Sequence, residues 1–101
     1  MKKTKPDKNA GQIHCIVKRH GKCIAYDERK IYGSVYAACY IVNRNHRKCE
    51  KLTNSISAKA TRMIKIKKKV SSSILFQFVV KELKKLDKHV AFMYETHRDI
   101  S

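Results

Sequence analysis

Acidic residues are scarce in this chain of 101 residues, where eight aspartates and glutamates stand against 24 lysines and arginines. The acids are scattered, and no pair has the spacing expected for acid–base catalysis or for a Mg²⁺ site. The sequence also lacks a Walker P-loop, a GxGxxG motif and an HExxH motif, and no serine lies in a nucleophile elbow. These absences favour a binding protein over an enzyme.

Cysteine pairs and long apolar runs are missing too. The four cysteines form no CxxC pair, so the spacing indicates neither a zinc site nor a secreted disulfide scaffold. No apolar run approaches the ~18 residues of a membrane span. The lysine-rich residues 1–11 contain no apolar segment of the kind found in signal peptides. We therefore expect a cytoplasmic protein without membrane contact, whose cysteines are small core residues.

The basic residues are unevenly distributed. Residues 1–30 hold nine lysines and arginines against three acids, residues 44–69 hold ten against one, and residues 70–101 hold five against four. Such an excess attracts nucleotides, nucleic acids or acidic lipids, and it is equally compatible with a solvated basic surface. The hydrophobic fraction of 43% indicates a folded chain, and the length indicates one domain.

A β-hairpin is predicted over residues 13–26. Apolar and basic residues alternate in its first half, so Ile16 and Lys18 share one face. Gly21 supplies the positive φ that a tight turn needs. The hairpin places Cys15 near Cys23, and a bridge between them would be incidental. A two-stranded hairpin is not stable alone, so we expect it to pack on helices.

Three basic side chains are predicted to converge where the hairpin leads into the first helix. Asp27 has the character of a helix N-cap. Lys30 then projects from the first turn of that helix, while Lys18 and Arg19 lie at the hairpin turn. Cations beside a helix N-terminus form a plausible seat for a polyphosphate.

The rest of the chain shows helical periodicity. Its apolar spacing and start signals predict an α+β, mainly α protein: a flexible basic leader at residues 1–12 precedes a single domain at 13–101. In that domain a four-helix bundle is capped by the hairpin or a small three-stranded sheet. The third strand would be an edge strand at 65–70, although a nucleic-acid contact also explains those lysines. The predicted helices cover residues 28–42, 48–64, 71–86 and 88–98. Ser71 is predicted to start the third of them, and Asp87 is predicted to cap the fourth.

Two blocks of this sequence resemble the ATP-cone, a nucleotide-binding regulatory domain of ribonucleotide reductases and of their zinc-ribbon repressors. The segment IVKRHG…YDERKI at residues 16–31 is similar to the family pattern V-x-K-R-D-G…F-D-x-x-K-I at identical spacing. The segment VAFMYETHR at residues 90–98 resembles the closing helix V-A-x-x-Y-x-x-Y-R. The resemblance spans residues 13–99 and implies a four-helix bundle capped by a small sheet, with the nucleotide between cap and helices.

The resemblance also implies a site. Lys18, Arg19 and Lys30 would hold phosphates, and Ile16 would pack on the adenine. Asp27 would lie near the base or sugar, and Ser71 would border the nucleotide. No metal or catalytic residue is implied, and Mg²⁺ would arrive only with the nucleotide. The implied nucleotide-binding residues are Ile16, Lys18, Arg19, Asp27, Lys30 and Ser71.

The function implied by the resemblance is a free-standing allosteric module with ATP or dATP as effector. It would act through self-association or through a partner such as a ribonucleotide reductase-related protein. Two alternatives remain open at this point. One is a basic nucleic-acid-binding protein or transcription regulator that uses residues 44–69. The other is a structural assembly subunit whose interface is a tyrosine stripe at Tyr32, Tyr36 and Tyr40.

Overall fold

Four helices capped by a three-stranded sheet make up the fold, which confirms the α+β, mainly α prediction. The computed structural model describes residues 15–18 and 21–96, so the predicted leader and Arg19 lie outside the described residues. The elements are β1 (Cys15–Val17), β2 (Cys23–Ala25), α1 (Glu28–Ile41), α2 (His46–Lys67), β3 (Lys69–Ser71), α3 (Ser72–Leu86) and α4 (Lys88–Thr96).

The sheet joins two distant parts of the chain. Its strand order is β2-β1-β3, and β1 pairs antiparallel with β2 but parallel with β3. Ile16 therefore lies opposite both Ile24 and Val70 in the register. Gly21 has a φ of 85°, which confirms the predicted turn between β1 and β2. The predicted edge strand beside the hairpin is also confirmed, as β3.

Three helix starts follow the capping residues that the sequence indicated. The Asp27 carboxylate accepts from the Arg29 backbone N–H at 3.0 Å, and the Ser71 hydroxyl accepts from the Ile74 N–H at 3.1 Å. At the start of α4, the Asp87 carboxylate accepts from the next helix turn at 3.1 and 3.3 Å. Each cap satisfies N–H groups that have no partner within the helix, so each fixes a boundary.

The second helix is longer than predicted, at both ends. It begins at His46 because the Asn45 side chain accepts from the Lys48 N–H at 2.8 Å. It continues through Lys67, so residues 65–67, predicted as strand, are helical. The short alternation there is misleading because Ile66 is 73% exposed and faces solvent rather than a sheet.

The core lies between the helices, where each buries an apolar stripe. Cys39 and Cys49 are fully buried, and burial raises the pKa of the Cys39 thiol to about 12, as expected for a small core residue. Cys15 is also buried, but the prediction is wrong for Cys23, which is exposed on the edge strand β2. Cys15 and Cys23 are joined by a disulfide, with their Cα atoms 5.7 Å apart.

None of the helices in the described part of the chain has both the length and the apolar character needed to cross a membrane.

Replacing Lys68 with glycine should stabilise the protein. Lys68 ends α2 with φ 66° and ψ −38°, a region that costs a non-glycine residue about 1–3 kcal/mol. Glycine also enlarges the entropy of the unfolded chain by up to ~1 kcal/mol, so we expect a net gain of about 1 kcal/mol in unfolding free energy. Urea denaturation measures it. Lys67→Gly, at the last residue of α2, should instead destabilise by up to about 1 kcal/mol, and a loss in both variants would contradict the prediction.

Candidate functional site

A cavity of about 650 Å³ lies between the sheet and the N-terminal ends of α1 and α3. Small-molecule sites commonly occupy about 300–1,000 Å³, so the cavity is large enough for a nucleotide. The structure brings five of the six predicted site residues to its lining, which is a test of their proximity and not of their roles. These residues are Ile16, Lys18, Asp27, Lys30 and Ser71.

Two lysines supply positive charge to the cavity. The backbone of Lys18 is held by the turn, because its N–H donates to the Lys22 carbonyl at 2.7 Å and its own carbonyl accepts from Gly21 at 2.8 Å. Lys30 lies in the first turn of α1, where its N–H donates to the Asp27 carbonyl at 3.0 Å. Both side chains are exposed, and neither forms a salt bridge with another described residue. They are therefore available to an anion in the cavity.

The N-terminus of α1 already carries negative charge. Asp27 caps it, Glu28 lies in its first turn, and the Asp27 carboxylate also accepts from the Arg29 guanidinium at 3.2 Å. Hydrogen bonds from the Arg29 side chain and backbone lower the pKa of Asp27, so its carboxylate is ionised at neutral pH. Asp27 lines the cavity, but the contacts that the structure shows for it are those of a helix cap.

The N-terminus of α3 is a better anion seat. Its first turn contains no acid, and Ser71, Ser72 and Ser73 all line the cavity. The Ser71 hydroxyl oxygen accepts from Ile74, which leaves the hydroxyl proton free to be donated. The first backbone N–H groups of a helix have no acceptor within it, and the helix dipole makes this end positive. Hydroxyl donors and positive potential therefore coincide beside the two lysines.

An apolar and aromatic wall forms another part of the cavity lining. Ile16 and Leu75 are buried there, and the rings of Phe76 and Tyr94 stack with centroids 5.5 Å apart and an interplanar angle of 19°. Burial raises the pKa of Tyr94, an effect partly opposed by its hydrogen bond with Ser34, so the phenol stays neutral. This wall suits an uncharged planar group.

Sequence reasoning missed this aromatic wall. Tyr94 belongs to the apolar stripe of α4 and Phe76 widens that of α3, so their spacing is the same as that of core residues. Tyr26 was missed as well. Its hydroxyl lies 3.0 Å from the Thr61 hydroxyl and ties the end of β2 to α2. No local signal in the sequence separates these three aromatic residues from core residues.

The cavity thus has the properties of a site for an anion that carries an apolar ring, because its lining combines cations, hydroxyls and an aromatic wall. Within the described residues no group of three or more histidines, cysteines or acids is placed to hold a metal ion. The family model of the ATP cone domain matches residues 14–100. Since this match covers most of the chain, the protein belongs to the ATP cone family.

Membership in the family confirms the resemblance found in the sequence. ATP cone domains bind ATP or dATP and act as nucleotide-binding regulatory modules. Comparison with curated proteins gave no match for this chain.

Proposed function

We propose that this protein binds ATP or dATP as an effector in the cavity beneath the sheet, and that occupancy changes its self-association or its contact with a partner protein. The observation that carries the proposal is that Lys18, Lys30, the α3 N-terminus and the aromatic wall all line one cavity. A ribonucleotide reductase-related partner and a cytoplasmic location, where adenine nucleotides are abundant, complete the proposal.

The two kinds of lining residue match the two parts of the nucleotide. Lysines, serine hydroxyls and the N-terminus of α3 favour the triphosphate, each charged hydrogen bond contributing about 1.5–3 kcal/mol. Ile16 and the stacked rings of Phe76 and Tyr94 favour the adenine. Arg19 would add a further phosphate contact. Any Mg²⁺ would enter bound to the phosphates.

Regulation requires that the nucleotide distinguish two states of the protein. A ligand that binds both states equally shifts neither population, however tightly it binds. The cavity is bounded by separate elements, namely the sheet and the first turns of α1 and α3. A small displacement of the sheet relative to these helices would change the distance between Lys18, which follows β1, and Lys30, in the first turn of α1, and with it the affinity for the triphosphate.

Isothermal titration calorimetry with ATP, GTP and tripolyphosphate in one buffer tests the binding. We expect ATP to bind at least tenfold more tightly than either competitor, which corresponds to about 1.4 kcal/mol. Tripolyphosphate lacks the ring that the aromatic wall contacts. Sedimentation velocity with and without ATP then tests the change in assembly.

Equal affinity for the three ligands would show that the cavity is a non-specific anion site. A protein that binds none of them, yet assembles with a partner, would favour the structural assembly subunit. ATP binding without any change in sedimentation, alone or with a partner, would contradict the regulatory part only.

A further inference from the structure

One exposed face of α2 carries a straight row of basic and small side chains, here named the α2 stripe. Its members recur every three or four positions, so they lie one above another on the helix. All are exposed, and none is acidic. The row extends over 18 residue steps, or about 27 Å at ~1.5 Å per residue. The α2 stripe consists of Arg47, Lys51, Asn54, Ala58, Arg62 and Lys65.

The charge of the α2 stripe does not serve the stability of the helix. Arg47 lies in the first turn, which contains no acid, and the helix dipole disfavours cations at that end. Arg47 and Lys51 are also like charges at i and i+4, an arrangement that destabilises a helix by a few tenths of a kcal/mol. Only Lys65, near the C-terminal end, is favoured by the dipole.

Two other lysines of α2 have structural partners, and they lie off this row. Lys48 approaches the Asp87 carboxylate at 3.3 Å, and Lys59 approaches Glu82 at 3.3 Å. Among the described residues, the four cations of the α2 stripe form no salt bridge. The α2 face therefore separates into paired lysines that hold the bundle together and unpaired cations that face solvent.

We propose that the α2 stripe binds the phosphate backbone of double-stranded nucleic acid without reading its sequence. A straight row of cations matches a linear polyanion, and the major groove of B-DNA, about 12 Å wide, admits an α-helix. The short side chains of Asn54 and Ala58 at the centre of the row let the helix approach the phosphates closely. None of the stripe residues lines the nucleotide cavity, so the two sites are separate.

A bilayer is a poorer match for this surface. An amphipathic helix binds a membrane by inserting its apolar face among the lipids. The apolar face of α2 is buried in the bundle, with Leu52, Ile56 and Ile64 at most 6% exposed. A membrane could therefore attract α2 only through its acidic headgroups. A flat layer of headgroups does not match the linear arrangement of the cations in the α2 stripe.

Fluorescence anisotropy with a short labelled DNA duplex of mixed sequence tests the proposal. Phosphate binding by Z cations gives a slope of about −0.9Z for log affinity against log salt, so the four stripe cations predict about −3.6. The variant Lys51→Gln/Arg62→Gln/Lys65→Gln should reduce that slope by about 2.7 and weaken binding strongly at low salt. The matched control Lys81→Gln/Lys84→Gln/Lys88→Gln removes the same charge from exposed lysines of α3 and α4 and should leave the slope nearly unchanged.

Circular dichroism melting establishes that both triple variants remain folded. Equal losses in the two variants would show that binding follows net charge alone and would overturn the proposal. Tighter binding to phosphatidylserine vesicles than to the duplex would overturn it in favour of a lipid surface. The duplex measurement is made without ATP, so its outcome does not depend on the nucleotide site.

Discussion

The double variant Lys18→Ala/Lys30→Ala should bind ATP at least a hundredfold more weakly than the unmodified protein. Both lysines line the cavity, and neither is engaged in a salt bridge with a described residue. A hydrogen bond to a charged group contributes about 1.5–3 kcal/mol, and solvent exposure places each lysine at the lower end of that range. Two contacts of about 1.5 kcal/mol each amount to roughly a hundredfold in dissociation constant. Calorimetry measures the loss directly.

The control for this variant must remove equal charge elsewhere. Lys84→Ala/Lys88→Ala does so on exposed positions of α3 and α4 that do not line the cavity. We expect ATP affinity in the control to change less than threefold. Equal weakening in both double variants would show that the lysines act only through net charge and would contradict a specific phosphate contact.

Asp87→Asn should lower the free energy of unfolding by about 3 kcal/mol at neutral pH. The Asp87 carboxylate has 6% side-chain exposure and accepts from the Arg44 guanidinium at 2.8 and 3.3 Å. Lys48 lies 3.3 Å away. Removing one member of a buried ion pair typically costs 3–5 kcal/mol. Arg44 is 28% exposed, so the lower end of that range applies, while asparagine still caps α4.

The effect of Asp87→Asn should depend on pH. Hydrogen bonds from the Arg44 side chain, assisted by the backbone N–H of Val90 and by Lys48, hold the pKa of Asp87 well below its usual range. A carboxylate with a lowered folded-state pKa stabilises the protein above its unfolded-state pKa of ~3.9, and this stabilisation is lost as the pH falls below it. The difference between the two proteins should shrink by about 1.4 kcal/mol for each pH unit below ~3.9.

Urea denaturation at pH 7 and near pH 2.5 measures both quantities. The double variant Arg44→Gln/Asp87→Asn is the control, because it removes both charges and leaves no guanidinium without a partner. It should be less destabilised than the sum of the two single variants. A difference that stays constant between the two pH values would show that Asp87 acts through packing and capping rather than through its charge.

Local signals in the sequence predicted most of the fold. Asp27, Ser71 and Asp87 were identified as helix starts because a cap depends on residues within one turn, and Gly21 marked the hairpin for the same reason. The end of α2 was missed at residues 65–67. The few alternating residues there are compatible with either a strand or a helix, and only the structure shows that Ile66 is exposed to solvent on the helix.

The cavity was predictable only in part. The residues of the hairpin and of the first turn of α1 came from a sequence pattern, and the structure places Lys18 and Lys30 together. Their contact with a nucleotide stays a prediction. Phe76 and Tyr94 could not be distinguished from core residues. Helical periodicity predicts that a side chain faces the interior, but it does not predict which groups that side chain contacts there. Acids lie at the N-terminus of α1 but not in the first turn of α3. This difference becomes relevant to anion binding only because both helix ends border one cavity.

The parallel pairing of β1 with β3 has a consequence for how the protein folds. Cys15 pairs with Lys69, so this contact closes a loop that contains the whole of α1 and α2. Closing so long a loop is entropically costly and contributes to slow folding. The cavity walls come from both ends of that loop, so they meet only in the complete fold. A ligand held between them stabilises the chain as a whole, by RT ln(1 + [L]/Kd), and abundant effector would shield the entire domain from unfolding and proteolysis.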